Sequence, residues 1–434
     1  MLTLISQNAH PNCDGIGRRD FLKIGGLGLG SFGLPQLLAA RELAAKSGKS
    51  VKDTSVVWLW LGGGPTHVET FDPKMSAPVE YRSVTGETTT SVPGITIGGQ
   101  FQKIAAQAEH FAFVRSFAHT NSGHGGGTHF LMTGYDNRLA DNGGLPTRPS
   151  LGSITARLRG ANHPETGMPT YVRLDGIGAD GPAFLGTGYA PFGTNNQAKT
   201  NMTLRTSLER VEDRRALLNG FDRFQREADR TGLMAGLDAF EQQAFNLVLG
   251  NATDAFDLKK ENKEVVSKYG KGLGEQLLIA RRLCESGCGF VTLNYGGWDM
   301  HGQIQQGLKN RVPMLDHAVA TFVQDVQQRG LGEKILLVIT GEFGRTPRIN
   351  KNAGRDHWAP LSTLALSGGG LKMGQVVGES DSKVTRPHTR PITPQDLMAT
   401  VFDVLGIDLA TQFTNQAGRP VYMVEGGKPI SELA

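Results

Sequence analysis

From Ser55 to Leu61 the chain reads Ser-Val-Val-Trp-Leu-Trp-Leu, an unbroken apolar run that stops at Gly62-Gly63-Gly64-Pro65. A short continuous run of β-branched and aromatic residues, closed by turn formers, predicts a strand buried on both faces. Runs of the same kind occupy residues 111–117, 170–174, 289–295, 334–340 and 363–367. Apolar positions at helical spacing lie between them, over residues 150–158, 204–230, 233–249, 273–285, 311–328 and 394–405. Strands alternating with helices predict the α/β class, a doubly wound and mostly parallel sheet sandwiched by helices. The stretch 204–269, charged on one face, reads as a helical insertion into that core.

The pattern ahead of the first strand is different. Gly17-Arg18-Arg19-Asp20-Phe21-Leu22-Lys23 sets an arginine pair before two hydrophobic residues and a lysine, and leads into an uncharged run from Ile24 to Ala40. Five glycines and Pro35 make that run too short and too weakly apolar for a membrane span of about 20 residues. It predicts a cleavable twin-arginine signal, with the twin-arginine translocase as a partner and a periplasmic or otherwise exported destination. Cleavage is expected near Leu38-Ala39-Ala40 or Leu43-Ala44-Ala45. Residues 1–45 are then signal and linker, residues 50–425 form one domain, and the mature form has no transmembrane span.

Composition narrows the function. The 434 residues include 58 glycines, about twice the usual share of ~7 %, which points to many tight turns. Net charge is +4, but residues 1–53 hold seven of the basic and four of the acidic side chains, leaving 38 against 37 in the rest. A neutral domain lacks the electrostatic footprint of a nucleic-acid binder, so no nucleic acid is expected. Cys13 falls in the signal, and Cys284 and Cys288 are spaced for a helix end, where a disulfide would be strained. No cysteine cluster or dinucleotide glycine fingerprint supports a redox enzyme.

In an open parallel sheet the ligand site lies beyond the carboxyl ends of the strands. Polar clusters follow four of the predicted strands: His67 and Asp72 after the first, His124 and His129 after the second, Asp299 and His301 after Phe290–Asn294, and Glu342, Asp356 and His357 after Ile335–Ile339. Imidazoles and carboxylates gathered at one sheet edge suit a divalent metal, here Zn, Mn, Ca or Mg. His67, Asp72, Asp299, His301, Glu342, Asp356 and His357 are therefore the candidate ligands. Gly126 and Gly127, read as a loop entering a helix, offer backbone N–H groups to an oxyanion, with Arg345 and Arg355 as further contacts.

Several of these motifs resemble those of a bacterial family known as domain of unknown function 1501, within the alkaline phosphatase and sulfatase superfamily. They are Gly63-Gly64-Pro65-Thr66-His67 with Thr70-Phe71-Asp72-Pro73-Lys74, Gly297-Trp298-Asp299-Met300-His301, Glu342-Phe343-Gly344-Arg345-Thr346-Pro347 and Gly354-Arg355-Asp356-His357-Trp358. Leu131-Met132-Thr133-Gly134-Tyr135 and the stretch 391–407 are similar to sulfatase segments. The resemblance implies an alkaline phosphatase-like core and hydrolysis of phosphate or sulfate esters, with a small anionic ester or an envelope polymer as ligand. It puts His124 at the nucleophile position, where relatives have Ser, Thr or Cys. A non-catalytic envelope protein that keeps the fold without the nucleophile is the alternative.

Export is expected to depend on the identity of the arginine pair and not on its charge. Replacing Arg18 and Arg19 with lysine should abolish the processed form in cell fractions; unchanged processing would contradict the signal assignment.

Overall fold

The computed structural model describes residues 52–194 and 251–434. The stretch read as an export signal and the helices expected at 204–230 and 233–249 lie outside the described residues. No helix among the described residues is long and apolar enough to cross a membrane.

The sheet has eight strands: β1 (Ser55–Trp60), β2 (Ala112–Val114), β3 (Tyr171–Arg173), β4 (Phe192–Gly193), β5 (Phe290–Asn294), β6 (Ile335–Thr340), β7 (Leu364–Gly368) and β8 (Gln375–Val377). Their order is β8-β2-β7-β6-β1-β5-β3-β4. β1 sits in the middle, parallel to β5 on one side and β6 on the other. Its side chains alternate between two cores: Val56, Trp58 and Trp60 pack on one face, Val57, Leu59 and Leu61 on the other. Each fully buried Val or Leu contributes roughly 1.5–3 kcal/mol, so the continuous run makes β1 the spine of both cores.

Helices cover both faces. α1 (His124–Thr133), α2 (Leu151–Arg159) and α5 (Pro394–Val404) pack in the Trp58 core, while α3 (Leu273–Glu285) and α4 (Ile304–Gln328) pack in the Leu59 core. α5 starts on a capping box: Thr393 Oγ1 accepts from the Asp396 N–H, Asp396 accepts in return from Thr393, and Pro394 opens the helix. α4 begins at Ile304, ahead of the 311–328 stretch that the spacing predicts; buried Ile304 and Leu308 anchor its added turns, and Pro313 falls in its interior.

Only β7 runs against its neighbours. Adjacent antiparallel strands need no helical crossover, so residues 341–363 leave the carboxyl end of β6 and return to the same edge. They fold back as a small ribbon in which Gly344–Arg345 pairs with His357–Trp358. The loop after β5 also reaches this edge, and with β2 parallel to β6 across β7, so does the start of α1. Glu342, Arg345, His357, Asp299 and His124 are therefore brought to one edge by topology.

Two buried arginines tie the loops together. Arg355 makes a two-pronged pair with Glu69, Nη2 to Oε1 at 2.6 Å and Nε to Oε2 at 2.9 Å, and neither side chain is exposed. Thr66 and the Val84 N–H also donate to Glu69, so its oxygens are well supplied. Arg345 donates to the carbonyls of Gly63, Gly64 and Arg355 and to Asp299. Gly63 and Gly64 have φ of 109° and 78°, and a Cβ there would meet the Trp298–Asp299 backbone and the Phe343 ring respectively. The turn after β1 thus requires glycine for its backbone and for its neighbours alike.

Removing one partner of a desolvated pair leaves a buried charge, so Arg355→Leu should cost about 3–5 kcal/mol in urea unfolding. The double variant Glu69→Leu with Arg355→Leu should recover much of that loss. A double variant no more stable than the single one would contradict this account.

Candidate metal centre

Three imidazoles meet at Asp299. His301, from the loop after β5, donates Nδ1–H to Asp356 Oδ1 at 2.8 Å. His357, at the end of the ribbon, donates Nδ1–H to the Ser122 carbonyl at 3.0 Å. His124, the first residue of α1, donates Nδ1–H to Glu342 Oε1 at 2.8 Å. Each outer nitrogen faces an acceptor and so carries the proton, a tautomer assigned from its partner. Each Nε2 of a neutral ring is then bare.

All three Nε2 atoms turn toward one carboxylate. His301 and His357 Nε2 lie 3.0 and 3.1 Å from Asp299 Oδ1, and His124 Nε2 lies 3.5 Å from Oδ2. His301 Nε2 and His357 Nε2 are 3.0 Å apart. Lone pairs set against one another and against an anion repel unless a proton or a cation lies among them. His124, Asp299 and His357 offer ligand atoms within 4.8 Å of one another. An imidazole whose other nitrogen is fixed by a carboxylate or carbonyl is the usual form of a metal-binding histidine, so the donor set fits a divalent ion.

Electrostatics sharpen the division of labour. Burial opposes ionisation of Asp299, but Arg345, His357 and His301 outweigh it and bring its pKa down to about 2. Desolvation, then the Arg345 charge, lowers the His357 pKa and favours the neutral ring. The Glu342 hydrogen bond raises the His124 pKa against partial burial. The second oxygen of Glu342 is buried and has no hydrogen-bond partner.

Beside the cluster lies a cleft of about 500 Å³, lined by Trp60, His124, Asn294 and Glu342 among others. His129, the other histidine of α1, is buried and satisfied: Nδ1 donates to the Tyr135 carbonyl and Nε2 accepts from the Thr147 N–H.

Not every residue singled out from the sequence arrives here. His67 donates Nε2–H to the Val384 carbonyl and Asp72 accepts from Ser380, so both bind the 380–384 segment and not Asp299. Asp356 stands behind His301 and does not face Asp299 directly. Arg345 and Arg355 are fully buried and spent on carboxylates and carbonyls, which removes them as surface anion contacts. Gly126 and Gly127 form the first turn of α1 itself. Their N–H groups go to Asp141 and to the Gly123 carbonyl, so neither is free for an oxyanion.

Sequence reasoning missed Glu69, the Ser122 carbonyl and Asn350, which donates to both Asp356 and the His301 carbonyl. The contacts that matter at the site lie far along the chain: Arg355 is 286 positions from Glu69, His357 is 235 from Ser122, and the His301 carbonyl is 49 from Asn350.

The fold and the cluster together define an α/β protein with a candidate His/Asp metal centre at the carboxyl edge of its sheet. The chain belongs to the family described as protein of unknown function DUF1501, whose model matches residues 53–434. No curated protein matches the sequence. Among solved structures it is similar to the PsFucS1 sulfatase from Pseudoalteromonas sp., at 14 % identity and TM-score 0.38, over 92 % of this chain and 73 % of that one. The lipoteichoic acid synthase LtaP from Listeria monocytogenes is 10 % identical with TM-score 0.33, over 83 % and 74 %. A magnesium-bound mutant of TAB5 alkaline phosphatase is 11 % identical with TM-score 0.35, over 83 % and 100 %. At scores this low the likeness carries no weight, and the architecture stands on the sheet order above.

Burial takes the pKa of both His67 and His119 down to about 4. The unfolded chain, with histidines near 6.5, then binds more protons than the folded one between about pH 6.5 and 4, so stability falls as pH falls through that window, by about 1.4 kcal/mol per unit for each histidine. Urea midpoints followed from pH 7 to 4.5 in EDTA should show this slope. His119→Asn should reduce it by one histidine's share; an unchanged slope would contradict the burial argument.

Proposed function

We propose that this protein is an exported metal-binding protein of the alkaline phosphatase and sulfatase type, which holds a divalent transition metal on His124, Asp299, His301 and His357 and hydrolyses phosphate or sulfate esters in the adjoining cleft. The observation that carries the reading is the convergence of three Nε2 atoms, bare when their rings are neutral, on one ionised carboxylate. A donor set of three nitrogens and one carboxylate favours Zn, Mn or Fe over Ca and Mg, which prefer oxygen. Such an ion would acidify a bound water and polarise an ester oxygen. Support for the ester class comes from the motifs at 131–135 and 391–407 and from the cleft beside the cluster.

The chain's own residues have separable tasks. Glu342, Asp356 and the Ser122 carbonyl fix the three ring orientations. Arg345 holds Asp299 ionised and in place. Of the hydroxyls beside the cluster, Thr128 donates to the His124 carbonyl and Ser122 Oγ accepts from the Ala359 N–H, so neither is hydrogen-bonded to a base of the cluster. That favours water over a side chain as the attacking group. The same observation supports a second reading, an envelope protein that binds metal and an anionic ligand without turnover.

Purified protein reconstituted with Zn or Mn should hold about one equivalent by mass spectrometry of the metal. His301→Ala and His357→Ala should bring this near zero, whereas Glu342→Gln should weaken affinity by about 10–100-fold. Metal-dependent release of nitrophenol from aryl phosphate or sulfate separates the two readings: turnover that disappears with the metal supports the hydrolase, and metal binding without turnover supports the second. Wild-type protein that takes up no metal would contradict both.

A further inference from the structure

The glycine-rich start of α1 has a structural partner that the metal centre does not use. Its N-cap is Gly123, which has no side chain to satisfy the N–H groups of the first turn. Asp141, from the loop after α1, does this instead: its Oδ1 accepts from the Gly126 N–H at 2.7 Å. The approach is close enough that a Cβ on Gly123 or Gly126 would run into the Asp141 carboxylate, and one on Gly125 into the Ala140 carbonyl. The glycines are therefore a seat for residues 140 and 141.

The same loop borders the cleft. Ala140, Gly144 and Pro146 line it together with Trp60, His124 and Glu342. Its ends are fixed, by buried Asn137 on one side, and on the other by the Thr147 N–H on His129 and by Arg148 stacked over the Tyr135 ring. Between those ends no apolar side chain anchors it, since Leu139 is 72 % and Leu145 84 % exposed, and Asp141 to Thr147 are exposed throughout. Gly143, at φ 79°, gives the loop a turn that costs a glycine little strain.

We propose that residues 138–146 form a lid over the His124 cleft, and that the contact of Asp141 with the Gly126 N–H is the latch that holds it shut. The lid rests on the reading of the cleft as the ligand's route to the metal. Opening it breaks the Asp141 hydrogen bond and a long contact of Asn137 Nδ2 with the Leu145 carbonyl at 3.5 Å, and unpacks no large apolar side chain, so it can open without disturbing the sheet. Entry and exit at the metal centre are then gated by Asp141.

The test uses the full mature chain loaded with zinc, in the wild-type, Asp141→Ala and Asp141→Asn forms. Loss of the latch should raise amide hydrogen exchange at Gly126 and across residues 137–146 by about 10-fold or more, the factor carried by one charge-assisted hydrogen bond. Capture of bound zinc by EDTA should accelerate in parallel. Asp141→Asn keeps an acceptor oxygen without the charge and should fall between wild type and Asp141→Ala, and exchange in β1 and β6 should not change in any form. Equal loop exchange in Asp141→Ala and wild type would overturn the latch. A freed loop with unchanged zinc capture would overturn the lid and leave Asp141 as a simple helix cap. A wild-type protein that binds no zinc would instead overturn the metal reading, and the exchange comparison would still decide the latch.

Discussion

The protein's site depends on one constraint: the outer nitrogen of each of three histidines is held by an acceptor from another segment. Glu342 holds His124, Asp356 holds His301 and the Ser122 carbonyl holds His357. With the Nδ1 protons turned outward, the inner nitrogens have nowhere to point but Asp299. Arg345 then fixes Asp299 while gripping the carbonyls of Gly63 and Gly64, so the loops after β1, β5 and β6 become one unit. The cluster is electrostatically unfavourable without a cation or shared protons. That tension is what distinguishes it from an ordinary surface group of histidines and acids.

Much of the scaffold was legible because buried parallel strands have a plain signature. Ser55–Leu61 reads as a two-faced strand, and it is one, with three side chains in each core. α3 spans residues 273–285 as its spacing predicts, and α5 is announced by Thr393-Pro394 and Asp396. Short strands were less legible: β2 covers only Ala112–Val114 of a longer apolar run, because Phe111 and Phe117 pack in the cores from irregular backbone. The antiparallel course of β7 leaves no trace in composition, since a strand buried on both faces reads the same in either direction.

At the site, the sequence showed which residue types gather at the edge but not which of them face one another. His67 and His124 both follow strands inside glycine-rich segments, yet one donates to the Val384 carbonyl and the other to Glu342 in the cluster. Arg345 and Arg355 look like anion contacts, and their burial against Asp299 and Glu69 depends on partners 46 and 286 positions away. Gly125, Gly126 and Gly127 read as a loop because glycine is a poor helix former. They are helical, and close neighbours leave no room for side chains: residues 140–141 at Gly125, Asn121 and Asp141 at Gly126, and the Glu342 carbonyl at Gly127.

The central claim is about which nitrogen of each ring carries the proton, and nitrogen-15 NMR of the histidine side chains tests it most directly. In metal-free protein near pH 8, His124, His301 and His357 should show protonated Nδ1 and bare Nε2. On titration with zinc the Nε2 resonances of those three should shift together, while His129 stays unchanged. Protonated Nε2 in these rings, or zinc shifts confined to other histidines, would contradict the account.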